Sequence, residues 1–426
     1  MTRIIQCAFF SLLLIIAFGC AVHQTSVPTT ELVPQKDELM LEKFNLLWKI
    51  IVDQHFSALP DTPEERFKCF QNMLIAGVSR CLNDPYSRYL SKEDVMDRDT
   101  ELDGAYTGVG LVVEFDDKER RVVIAEIIPD SPAERSDMFK VGDGVIEVDG
   151  KDVRGQSLTS IVQEVRGLAG TSVTMVIERN RKKREPIILV RAEIMDSPSV
   201  FVQDMGDDIT YVDIRNFHRT ATDAFYNALA SRVQHSTENG SIVIDPKARK
   251  FIFDVRENPG GIIGVVAMMS YFFSDDPDQI IVTIQSRHGD RIIRIRDLDG
   301  DNPIRPGVFK GVEAVVIIDN GTASAAEIFA DFLYEVMGFL RIGDPSRGKG
   351  TVQMEFLLEG DDALLLTIGE YIIGNKKTAV NQRGITPEYN VSAAGFVRKP
   401  NHIDPDNDPQ LKKAVQLLRT QEKIKK

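Results

Sequence analysis

From about residue 190 onward the chain alternates short apolar runs with helical patterns, and this alternation restricts what that half can become. The runs Ile209–Ile214, Phe251–Val255 and Val315–Ile318 read as strands. Gly261–Phe273 and Ala325–Met337 carry helical spacing, and Gly338 is placed to cap the second helix. Strands separated by helices pair in parallel, because a parallel neighbour needs a crossover connection. An α/β layer is therefore expected over 191–395. A final helix, with Leu411, Ala414, Val415 and Leu418 on one face, lies in a C-terminal stretch of 396–426 that ends in a basic tail.

The first half reads differently. Asp37 is a plausible N-cap for a helix with its stripe at Met40, Phe44, Leu47, Trp48 and Ile51, and Pro63–Arg80 continues in the same style. Together with Asp84-Pro85-Tyr86-Ser87 these make a helical segment over 37–103. From Gly104 the pattern turns to β, with Leu111–Phe115, Val122–Ile128 and Val173–Glu178 as strands and Leu158–Val165 as a short helix. Gly142-Asp143 and Asp149-Gly150 mark turns in this second segment, 104–190. The class is thus α+β and α/β in several domains, as a chain of 426 residues allows. Cys69 and Cys81 flank one helical stretch. Twelve residues of helix rise ~18 Å, and disulfide Cα atoms lie within ~7 Å, so they are read as two buried free thiols.

Residues 1–19 read as a secretory signal, with Arg3, the apolar stretch Ile4–Phe18 and a small-residue end. That stretch is shorter than the ~20 residues of a bilayer span. Ala17-Phe18-Gly19-Cys20 resembles a bacterial lipobox, which makes Cys20 a candidate for lipidation and 20–36 a polar tether. The expected location is the bacterial cell envelope, as an exported, lipid-anchored periplasmic protein. With a net charge of −13, no nucleic-acid partner is expected.

Several chemistries lack their residues. The six histidines are scattered, no HExxH or GxSxG occurs, and no phosphate-binding glycine pattern follows a strand. No metal and no cofactor are expected. Instead, Val315–Ile318 runs through Asp319-Asn320-Gly321-Thr322-Ala323 to Ser324, at the start of a helix. A helix start offers unpaired N–H groups and a positive dipole end, which suit an oxyanion, although serine is also an ordinary N-cap. Gly348-Lys349-Gly350 places a lysine on a compact turn. Desolvation there would lower its pKa and let it act as a base. Asp254–Gly261, with its paired glycines, can present N–H groups to an anion.

In this order the three segments resemble the carboxy-terminal processing, or tail-specific, proteases of serine peptidase family S41. The motifs are Gly321–Ile328, Gly348–Gln353 and Asp254–Gly261, with Asp84–Leu90 upstream and Gly384-Ile385-Thr386-Pro387 downstream. The resemblance implies that Ser324 is the nucleophile, Lys349 the general base and Gln353 the residue orienting its amine. It implies an oxyanion hole from the Ala325 N–H and a Gly260 or Gly261 N–H. Residues 104–190 resemble a PDZ domain, with Gly108, Val109, Gly110 and Leu111 in its carboxylate loop and the following strand ready for β-augmentation. The implied partners are proteins or peptides with free C-termini, and the resemblance leaves room for an adaptor or regulatory protein. Ala326, Asp331-Phe332 and Arg347 depart from the family pattern.

The expected function is an envelope serine endopeptidase with a Ser-Lys pair. Its rivals are a catalytically silent PDZ-bearing lipoprotein scaffold and a chymotrypsin-type protease. The last needs its serine motif before the PDZ, whereas here the PDZ comes first. Cys20→Ala is expected to move the protein from the membrane fraction to the soluble one. A variant that stays with membranes, or a wild type that takes up no labelled lipid, would remove the anchor.

Overall fold

The computed structural model describes residues 62–420, apart from 117–120, 157, 168, 196–198, 230–232, 236–241, 245–249, 299–305, 359–360, 394–395, 397 and 399–402. The signal, Cys20, the tether and the helix beginning at Asp37 lie outside the described residues. Two compact units are present. One holds the chain up to Ser91 with Gln353–Thr367, and the other Lys92–Val352 with Ile368–Lys426.

In the smaller unit, Pro63–Leu82 is a continuous helix, so Cys69 and Cys81 cannot bridge. Cys81 is free but exposed, not buried as expected, because it falls in the solvated last turn. Strand Arg88–Leu90 pairs antiparallel with Ala363–Leu365. The Asp84-Pro85-Tyr86-Ser87 turn closes on its own carboxylate, which accepts from Tyr86 N–H at 3.0 Å and Ser87 Oγ at 2.5 Å. Ser87 Oγ in turn accepts from Thr367 N–H at 3.0 Å. Burial works to raise the Asp84 pKa, but hydrogen bonds led by the Ser87 and Thr367 hydroxyls bring it below the ordinary value.

The heart of the larger unit is a six-stranded sheet. Its strands are β1 (Val200–Asp204), β2 (Ile209–Ile214), β3 (Lys250–Asp254), β4 (Glu313–Ile318), β5 (Leu340–Gly343) and β6 (Tyr389–Asn390). They lie in the order β1-β2-β3-β4-β5-β6, with β1 antiparallel to β2 and all other pairs parallel. Because the strand order never reverses, right-handed crossovers place their helices on one face. These are α1 (Ala221–Leu229), α2 (Ile263–Tyr271) and α3 (Ala325–Met337). That face packs Phe251, Phe253, Val316 and Ile318 against Phe225, Val266, Phe329 and Phe332. The Phe253 ring meets Phe273 and Phe329 edge-on, with centroids 5.5 and 6.2 Å apart. The other face packs Tyr211, Ile252, Val315 and Ile317 under α4 (Pro409–Thr420), through Leu411, Ala414, Val415 and Leu418. Gly338 caps α3 in the left-handed region at φ 71°.

The β segment has its own core of Val122, Ile124, Val145, Ile161, Val173, Met175 and Ile177. Its strands run Leu111–Asp116, Arg121–Ile127, Gly144–Val148, Ser172–Arg179 and Lys182–Lys183 in spatial order. Leu111–Asp116 is therefore an edge strand.

Candidate active site

In a parallel sheet every strand ends on the same side, and loops there form the crevice in which α/β proteins bind and react. Asp254 of β3 pairs with Ile317 of β4, and Ile318 of β4 with Gly343 of β5. The three motifs follow these strand ends directly, and so motifs far apart in sequence meet.

The loop after β3 is fixed from below by a buried ionic group. Arg256 pairs with Asp254 at 2.6 Å and Asp408 at 2.8 Å, while Arg398 pairs with Asp213 and lies 3.8 Å from Asp254. Burial pushes the Asp254 carboxyl up, but the guanidiniums of Arg256 and Arg398 outweigh it and hold it well below the usual range. Asn258 is fully buried. It donates to Ile214 O at 2.8 Å, its Oδ1 accepts from Gly260 N–H at 2.8 Å, and its carbonyl accepts from Ala323 N–H at 2.9 Å. Gly260 turns at φ 105°, and a Cβ there would stand 2.7 Å from Ser324 Cβ, so only glycine fits. With the Gly260 N–H engaged, Gly261 is the glycine left to donate. No described residue accepts from the N–H of Gly261 or Ala325.

The loop after β4 folds around Asp319, whose Oδ1 accepts from Gly321 N–H and Glu257 N–H at 2.9 Å each and from Thr322 N–H at 3.0 Å. It delivers Ser324 to the start of α3 with φ 56° and ψ −121°. An ordinary N-cap residue sits in the relaxed β region. Ser324 instead holds a sparsely populated conformation, which costs about 1–3 kcal/mol and persists where the surroundings impose it.

The surroundings centre on Glu327, which is wholly buried. Its carboxylate accepts from Ser324 N–H at 2.8 Å, Gly348 N–H at 2.8 Å, Lys349 N–H at 3.0 Å and Ser346 Oγ at 2.5 Å. One carboxylate thus joins the serine turn to the lysine turn. Ser346 Oγ also accepts from Ile385 N–H at 2.8 Å, which uses the Gly384–Pro387 motif as a back support. Gly348 and Gly350 press on the 381–384 backbone, where added Cβ atoms would come within 2.7 and 2.3 Å of main-chain nitrogens. Lys349 is half-buried. Loss of water, and then the positive charge of Arg98, bring its amine below the ordinary lysine value against the pull of Glu327.

A family model of peptidase family S41 matches residues 208–391, which contain all three strand-end motifs. The matched segment belongs to peptidase family S41. It is a serine peptidase of the carboxy-terminal processing type. A PDZ domain model matches 99–178. The carboxy-terminal processing protease CtpB of Bacillus subtilis is 26% identical over 405 residues, covering 92% of this chain and 78% of its own. The carboxy-terminal-processing protease of Bartonella bacilliformis is 29% identical over 309 residues, covering 72% and 66%. Among solved structures, a photosystem II D1 C-terminal processing protease covers 90% of this chain and 98% of its own, at 22% identity and a TM-score of 0.48.

The other expected residues fall as follows. Gln353 belongs to the smaller unit, on strand Thr351–Leu357, where Nε2 donates to Thr367 Oγ1 at 3.0 Å. In the S41 protein's PDZ domain, the carbonyls of Val109 and Gly110 accept from Ala133 and Ile128 N–H at 2.8 and 2.9 Å. No described residue accepts from the Val109 or Gly110 N–H. Gly110 has φ 83°, and a Cβ there would lie 2.0 Å from Ser131 Cβ, so it is also a packing requirement. Leu111 and Val113 pack against the core that holds Ile161 of helix Leu158–Val165. Glu327 and Asn258 were quoted within motifs but given no role. The Ser324-x-x-Glu327 spacing of a capping box was the available signal for Glu327.

Glu327→Gln keeps the volume but turns an amide N–H2 toward groups that must donate. We expect a loss of at least ~1.5 kcal/mol in stability, the contribution of one hydrogen bond to a charged group, and at least ~10-fold in turnover. Urea denaturation and peptidase assays matching wild type would show that the carboxylate does not hold the two turns.

Proposed function

We propose that this S41 peptidase acts through a Ser324–Lys349 pair on proteins presented by their C-terminal tails, anchored by lipidated Cys20 in the bacterial envelope. The observation that supports it most is the junction at Glu327, which gathers a strained serine at a helix start and a lysine held below its ordinary pKa. A silent scaffold has no use for strain at Ser324.

In this reading Ser324 Oγ attacks the scissile carbonyl carbon while Lys349 takes its proton. The developing oxyanion receives hydrogen bonds from Ala325 N–H and Gly261 N–H at the positive end of α3. Collapse breaks the C–N bond and Lys349 returns the proton to the leaving amine; water, deprotonated by Lys349, then attacks the acyl carbon, and the departing Ser324 oxygen takes that proton back as the acid is released. The carboxylate loop Gly108–Leu111 receives the chain terminus, and the open edge of Leu111–Asp116 extends the tail as an added strand. Among the described residues no helix is long and apolar enough to cross a membrane.

The test is cleavage of a tailed protein substrate across pH. Ser324→Ala should be folded and inactive. Activity of the wild type should rise with pH as Lys349 loses its proton, and level off below the ~10.4 of a free lysine. Lys349→Arg cannot deprotonate and should be dead; an active arginine variant would rule lysine out as the base. Amidating the substrate's C-terminus should weaken binding about tenfold or more, since a hydrogen bond to a charged acceptor exceeds a neutral one by ~1.4 kcal/mol. Equal cleavage of acid and amide would leave the Ser-Lys chemistry standing but remove tail recognition.

A further inference from the structure

Tyr371 carries no role in the sequence motifs or in the proposed chemistry, yet it touches both proposed catalytic residues. It lies in the larger unit, opposite Ile284 on strand Ile280–Ser286, and is 1% exposed. Its N–H donates to Gly350 O at 2.9 Å. Its hydroxyl lies 2.8 Å from Lys349 O and 3.1 Å from Ser324 O. A phenol has one proton to give, so the two carbonyls share it.

We propose that Tyr371 is a positioning residue, whose hydroxyl ties the main chain of the base to that of the nucleophile. The Lys349 backbone is then held on both sides, its N–H by Glu327 and its carbonyl by Tyr371. That matters for a lysine more than for a histidine base, because its four-carbon stem transmits any looseness at the root to the amine. Ser324 O already accepts from the N–H groups of Glu327 and Ile328 at 2.9 and 3.1 Å as α3 begins, so the lysine turn gains most from the clasp. Burial, and then the neighbouring Glu327 carboxylate, raise the phenol pKa well above its ordinary value and keep the proton in place at any working pH.

The inference rests on the Ser324–Lys349 reading, and the experiment separates the two. Tyr371→Phe keeps the buried ring and removes only the hydroxyl. We expect kcat to fall about tenfold, the equivalent of one hydrogen bond, with KM within about twofold, as for an interaction that serves the transition state. The rising limb of the pH profile should move to higher pH. A loosened turn admits water, and the amine drifts back toward an ordinary lysine pKa. Activity should then recover in part on raising the pH. A tyrosine that merely packs would leave kcat and the limb where they are. An unmoved limb with wild-type kcat, or a loss that only follows the unfolded fraction seen by circular dichroism, would overturn the clasp. Inactive Ser324→Ala and Lys349→Arg alongside that result would keep the catalytic pair. An active Ser324→Ala would overturn both.

Discussion

The Glu327 carboxylate is the interaction on which the site depends. Four donors from two separate loops converge on it, and the side chain is fully buried. A carboxyl group buried this deeply is tolerated only when its hydrogen-bonding capacity is filled. Every one of these donors therefore has to be where it is, and the same demand that keeps the fold closed keeps the serine turn against the lysine turn. The conformation at Ser324 is a consequence: its N–H is drawn to Glu327 on one side, and Gly260 occupies the space on the other.

Around that centre, the loops are stapled by main-chain groups more than by side chains. Ala323 N–H reaches Asn258 O and Arg347 N–H reaches Thr322 O, at 2.9 and 3.0 Å. This explains why the departure at position 347 is tolerated. The side chain there is exposed, and the bond that matters belongs to the backbone. Asp331 is a larger departure, since it puts a carboxylate in the middle of α3. It is buried and paired with Arg341 of β5, which also meets Glu388 at 2.8 Å and lies over the Tyr334 ring. Phe332 joins the aromatic core beneath the sheet. Both changes are absorbed by pairing and packing away from the turns that carry Ser324 and Lys349.

Much of this architecture was legible in the sequence. Periodicity placed β2, α3 and helix Leu158–Val165, because apolar alternation records directly which face is buried. Glycine and serine punctuation marked the strand ends and the cap at Gly338. The strands Ile280–Ser286 and Ala363–Ile373 were missed. Their pairing partners lie far away in the chain, and half-buried alternation of that kind is a weak local signal. The thiol at Cys81 was misplaced for a related reason: helical spacing says which residues share a face, not what covers it.

By itself the sequence determined the chemical inventory: a serine at a strand-to-helix turn, a lysine between two glycines, a glycine pair after a third strand, and a β segment ahead of them. Those are local facts, set by turn geometry and by the few residues able to supply a nucleophile or a base. Tertiary structure alone decided which of these groups meet and which are already engaged. Gly260 and Gly261 are equivalent until Asn258 takes one N–H, and Glu327 has no role until three residues of another loop meet its carboxylate. Such choices depend on hydrogen-bond partners supplied by strands that are neighbours only through parallel register, and no spacing along the chain records that.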